Sequence, residues 1–108
     1  MSTINRRDFG IAVAAAMLLP ATAARAEATE VQIHNFVFEP TQLNLKVGTT
    51  VTWTNTDRDS HTSTSDTPGW NSGTISPGRQ FSFTFQSAGT FPYHCSFHPG
   101  MVGTVVVR

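Results

Sequence analysis

From Val31 to the C-terminus, apolar and polar residues alternate with a period of two, the pattern of strands half-buried in a sheet. "VQIHNFVF" opens with Val31 and Ile33 on one face and Gln32 and His34 on the other. Its phase slips near Asn35, where Phe36 and Phe38 take over, and the slip predicts a bulge. "QLNLKVG" turns Leu43, Leu45 and Val47 inward and Gln42, Asn44 and Lys46 outward. "TTVTWTN" puts Val51 and Trp53 on one face, and "RQFSFTFQS" does the same with Phe81, Phe83 and Phe85. "GTFPYHC" and "VGTVVVR" add two further strands. Gly, Pro, Asn and Ser punctuate these runs. The polar segment from Asp57 to Pro77 reads as loop, with a short strand near Thr62 to Ser65. Helical periodicity and internal repeats are both missing from this part of the chain. Strands so spaced predict one all-β domain, a small Greek-key β-sandwich, over residues 27–108.

The alternation does not extend to the N-terminal segment "MSTINRRDFGIAVAAAMLLPATAARAEA". A polar start carries Arg6 and Arg7, an apolar run follows from Ile11 to Leu19, and "ARA" at Ala24 to Ala26 forms a small-x-small cleavage site. The run is about half the ~20 residues that span a bilayer. Residues 1–26 therefore read as a cleavable signal peptide rather than an anchor. Arg6 and Arg7, with Phe9 two positions on, resemble the twin-arginine signal for export of folded proteins. The expected location is the bacterial periplasm, with no stable membrane insertion after processing.

Composition narrows the function. The chain has 108 residues and a formal net charge of +0. Nucleic-acid binding needs a basic patch, and none is present. Removing the leader takes away Arg6, Arg7, Arg25 and Asp8, which leaves a slightly acidic domain. A domain this small buries a limited core, and a bound ion would add stability.

The chemistry gathers in "YHCSFHPGM", Tyr93 to Met101, which holds the single cysteine and two of the 4 histidines. A lone cysteine forms no intramolecular disulfide. An inert buried thiol is one reading, and it leaves His94, His98 and Met101 as coincidence. A nucleophile with His61 or His98 as base is another, but no orienting or oxyanion-hole motif accompanies it. The third is a metal site: Cys95-x-x-His98-x-x-Met101, joined by His61 from the polar loop. Zinc seldom takes methionine. Two histidines, a cysteine and a weak axial methionine are the set that selects copper for electron transfer. Pro99 and Gly100 would turn the short loop so that its side chains converge.

These residues resemble the cupredoxins, the small blue copper proteins, and among them the amicyanin-like and plastocyanin-like members. "LNLKVGTTVTWTN" resembles the family's second and third strands, and "SAGTFPYHCSFHPGM" its ligand loop with the short amicyanin-like spacing. The resemblance runs from Val31 to Val107. It implies the cupredoxin fold and one type 1 copper ion, with His61 and His98 equatorial, Cys95 the thiolate ligand and Met101 axial. It also implies a monomer, not an enzyme, that passes single electrons by Cu(I)/Cu(II) cycling. The partners implied are redox proteins: a donor dehydrogenase and an acceptor cytochrome or oxidase. The alternative function is a periplasmic copper carrier or reservoir.

The family's Asn after the first histidine, which ties that loop to the cysteine loop, is Thr62 here, and Ser96 follows the cysteine. Whether those two hydroxyl residues replace the clasp is open at this point. So is the packing of Phe97, beside His98. His34 is expected to face solvent. His94 precedes Cys95 on a strand, so it should point away from the metal. Its alternative role is a second route for electrons.

Overall fold

The computed structural model describes residues 28–108. The expected leader, residues 1–26, lies outside the described residues. Period-two patterning produces strands β1 (Ala28–His34), β2 (Val37–Glu39), β3 (Gln42–Leu45) and β4 (Thr50–Asn55). It also produces β5 (Thr64–Ser65), β6 (Gln80–Thr84), β7 (Gly89–His94) and β8 (Val102–Val107). They form two four-stranded sheets, β2-β1-β4-β6 and β3-β8-β7-β5. Pairing is antiparallel except for β1 with β4 and β3 with β8. Every connection from β2 to β7 crosses between the sheets, so the expected all-β sandwich is the observed one. No helix among the described residues is long and apolar enough to cross a membrane.

The inward faces meet in an aromatic core. Along β4, Val51, Trp53 and Asn55 are buried while the intervening threonines are partly exposed. Trp53 lies 5.8 Å from Trp70 and 5.5 Å from Tyr93 between ring centroids. Val31, Ile33, Phe38 and Val105 close around them, all fully buried. Each such side chain contributes about 1.5–3 kcal/mol relative to exposure. Gly103 of β8 lies under the Tyr93 ring, and a Cβ there would stand 2.5 Å from Tyr93 Cζ.

Three local expectations change. The phase slip at Asn35 is a two-residue hairpin turn, not a bulge: His34 pairs with Val37, and Asn35 and Phe36 have φ of 53° and 62°. Phe36 is therefore exposed at the turn, and only Phe38 enters the core. Val47 is 48 % exposed because β3 stops at Leu45, and Val47 lies in the following turn with its N–H on the Arg108 carbonyl. The loop from Asp57 to Pro77 is more than a polar connection, since it delivers Trp70 and Ile75 to the core. The indole N–H of Trp70 donates to Ser63 Oγ at 2.9 Å, which satisfies its polar edge inside.

Candidate metal centre

The strands β1, β4 and β7 all end at one edge of the sandwich, and the predicted ligands gather there. His61 is fully buried and belongs to no long strand. Its backbone is fixed instead by a two-way bridge to Ile75: His61 N–H to Ile75 O at 3.2 Å, and Ile75 N–H to His61 O at 2.7 Å. Asn55, buried at the end of β4, shapes the preceding loop. Its amide donates to the carbonyls of Asp59 and Ile75, each at 2.8 Å, and its Oδ1 accepts the Asp57 N–H at 2.9 Å.

Cys95 follows the last residue of β7, and its N–H donates to the Met101 carbonyl at 2.9 Å. The Met101 N–H in turn donates to the His98 carbonyl at 3.1 Å. Gly100 takes φ of 88° to make this closure, a value glycine adopts without a side-chain penalty. The loop thus brings Cys95, His98 and Met101 to one end of the fold, with Cys95 and Met101 buried and His98 partly exposed.

The donor atoms face one another. His61 Nδ1 and His98 Nδ1 are 3.2 Å apart, and Cys95 Sγ lies 3.8 Å from the first and 3.6 Å from the second. All three lie within 4.8 Å of one another. The other nitrogen of His61, Nε2, meets Asp57 Oδ2 at 2.9 Å. A carboxylate at that distance is placed to accept a proton from Nε2, the tautomer that would leave the Nδ1 lone pair free for a metal. Two imidazole nitrogens and a sulfur, with no carboxylate among them and the thioether of Met101 close by, fit copper and not a hard cation.

The surrounding bonds answer the question left by Thr62. Its Oγ1 accepts the Ser96 backbone N–H at 2.8 Å, and its own N–H reaches Cys95 Sγ at 3.4 Å. Thr64 Oγ1 links to Thr62 Oγ1 at 3.0 Å and to Ser96 Oγ at 3.3 Å. A hydroxyl network therefore ties the two loops where an Asn was expected.

His94 points to the other side of its strand and sets Nδ1 2.6 Å from Asp66 Oδ1 at the surface. His34 is exposed. Phe97 turns outward, 49 % exposed, with its ring centroid 6.5 Å from that of His98.

Two residues at the site carried no assigned role in the sequence. Asp57 accepts the N–H groups of Asn35 at 2.7 Å and Phe36 at 3.0 Å as well as meeting His61. Burial acts to raise its pKa. The N–H groups of Phe36 and Asn35 and the His61 ring outweigh that effect and hold it below the ordinary carboxylate value. The ring of Phe36 stands edge-on to His61 at 5.2 Å and to His98 at 4.7 Å. The signals were the charged "TDRDS" before His61 and an aromatic at the phase slip, but neither reveals its partner across the chain.

Comparison with known proteins agrees with this geometry. Residues 9–107 match the model of the cupredoxin-like domain family. The chain is 36% identical over 102 residues to amicyanin-alpha of Methylorubrum extorquens, covering 90% of this chain and 86% of that protein. It is 36% identical over 85 residues to the plastocyanin of Scenedesmus fuscus, covering 67% and 87%. A solved amicyanin variant in its Cu(I) form is similar at a TM-score of 0.71 and 34% identity, over 75% of this chain and 82% of that one. The fold and site define a small copper-binding β-sandwich, and the chain belongs to the cupredoxin family. It is an electron carrier rather than an enzyme, with copper as its cofactor.

Proposed function

We propose that the chain is a type 1 copper protein that shuttles single electrons between redox proteins of the bacterial periplasm. His61 and His98 through Nδ1, Cys95 through its thiolate and Met101 through its thioether would hold the ion. The observation that carries this reading is the convergence of two Nδ1 atoms and one Sγ within 4.8 Å on a scaffold that fixes each of them. Bound copper supplies a one-electron couple.

The protein's own residues limit rearrangement around that couple. Asp57 holds the His61 ring, Thr62 N–H supports the Cys95 sulfur, and the Thr62–Ser96 bond joins their loops. Buried groups held this way move little when the charge changes. His98 is the partly exposed ligand, with the outward ring of Phe97 beside it. That edge offers a path for electrons and an apolar contact of the small, weak kind that electron-transfer partners use. The partners are a donor dehydrogenase and an acceptor cytochrome or oxidase. Residues 1–26 act as the cleaved export signal, and the domain over residues 27–108 works as a monomer.

Cu(II) added to the processed protein is expected to give an intense blue thiolate charge-transfer band, and Cys95→Ser to abolish it. A colourless complex, or none, refutes the assignment. Slow copper exchange with fast electron self-exchange is expected of the shuttle. Rapid handover of Cu(I) to an acceptor protein would replace it with the carrier reading.

A further inference from the structure

We propose that Asp57 is a positioning residue of the copper site. One carboxylate fixes the His61 ring with Nδ1 turned to the metal. Through the N–H groups of Asn35 and Phe36 it also seats the Phe36 ring as a fixed wall against both histidines.

The argument begins in the backbone. Asn35 and Phe36 both have positive φ. Asn tolerates this region, but the second place of such a hairpin turn ordinarily falls to glycine, because a larger side chain there is strained. Strain of this kind persists only where surrounding contacts hold it, and it gathers at functional sites. Two sets of contacts hold Phe36. Its ring meets both histidine rings nearly perpendicular, at interplanar angles of 89° and 90°. Its N–H, with that of Asn35, ends on Asp57.

Asp57 is suited to this double task. Its side chain is only 10 % exposed, and its oxygens serve three partners: Oδ1 takes Asn35, while Oδ2 takes Phe36 and His61. Its own N–H is fixed by Asn55 Oδ1. The β1–β2 turn and the buried histidine, far apart in sequence, therefore share one anchor. A charged acceptor satisfies these donors better than a neutral one. Asparagine would keep the shape but set an amide NH₂ against donors.

The proposal rests on the copper reading above, and its test separates the two. In the copper-free processed protein, ¹⁵N NMR should find the His61 proton on Nε2 and Nδ1 bare. The tautomer with the proton on Nδ1 would overturn the proposal outright. Asp57→Asn should mix the tautomers and speed amide exchange at Asn35 and Phe36 at least about tenfold, because three partners lose their shared acceptor. With copper bound, the variant should stay blue yet release the ion about ten- to hundredfold faster, the usual effect of losing a partner of a ligating histidine.

Phe36→Gly gives the sharper contrast. It should raise the thermal stability of the copper-free protein by removing backbone strain, while copper release accelerates. A residue that only supported the fold would move both in the same direction. Unchanged tautomer and release rate in Asp57→Asn, or a destabilised Phe36→Gly with wild-type copper release, overturns the proposal. The tautomer and exchange measurements need no metal, so a wild-type protein that fails to turn blue removes the copper reading and leaves them decisive.

Discussion

Thr62 Oγ1 accepts the backbone N–H of Ser96 at 2.8 Å and so joins the His61 loop to the Cys95 loop. A hydroxyl on a short side chain does this because Thr62 is itself drawn close, with its N–H 3.4 Å from Cys95 Sγ. Thr62→Val keeps the shape and removes the acceptor. It should cost about 1–3 kcal/mol in urea unfolding of the copper-free protein, because the Ser96 N–H loses its acceptor and Thr64 Oγ1 a partner, and shift the reduction potential measurably. Thr62→Ser should restore both. A Thr62→Val protein with wild-type stability and potential would show that the clasp holds nothing.

Met101 is buried at 5 % exposure and closes the loop from Cys95 through its backbone on both sides. Met101→Gln should leave these backbone bonds and the blue colour in place while replacing a soft thioether with a harder amide oxygen. The harder donor favours Cu(II), so the reduction potential should fall. A tenfold change in preference corresponds to about 59 mV for one electron, and voltammetry should find a drop of at least that order. Loss of all copper binding would instead count against an axial role.

The convergence of the candidate ligands was easier to read from the sequence than the bonds that support them, for a physical reason. Cys95, His98 and Met101 lie on one short loop, so their chemistry is local and readable. The period-two faces of Val51 and Trp53, and of Phe81 and Phe83, likewise follow from neighbouring residues alone. Asp57 was visible only as a charged residue in a loop, because its role depends on two N–H groups 21 and 22 positions away. The Asn35–Phe36 turn was misread as a bulge because a Phe at positive φ violates the local preference that identifies such turns. Trp70 entered the core unannounced, since a single aromatic in a Ser- and Gly-rich run sets no period.

Gly103 makes a prediction about the sheet beneath the site. A Cβ added to Gly103 would stand 2.5 Å from Tyr93 Cζ and 2.6 Å from the hydroxyl oxygen. Tyr93 is 1 % exposed and has no room to withdraw. Gly103→Ala should therefore destabilise the copper-free protein by about 1–3 kcal/mol through overpacking. Denaturant titration checks it, and a wild-type midpoint would mean the ring is free to move. The double variant Gly103→Ala with Tyr93→Leu should recover part of the loss, because the clash is with the ring itself.

The buried phenol of Tyr93 gives the domain an alkaline limit. Burial pushes its pKa from 10.0 up to about 12, and the nearby Trp53 indole N–H offsets this only in part. Folding therefore favours the neutral phenol. Its contribution is fully present below pH 10 and is lost as the pH rises from 10 through about 12. The amount at stake is about 3 kcal/mol. Tyr93 is the single tyrosine of the chain, so phenolate absorbance in the ultraviolet follows this one group. The folded copper-free protein should titrate well above pH 10 and the urea-unfolded chain near it, and the urea midpoint should fall across that interval. Tyr93→Phe should remove this part of the pH dependence. A folded-state titration near pH 10, or an equal alkaline loss in Tyr93→Phe, would place the alkaline limit elsewhere.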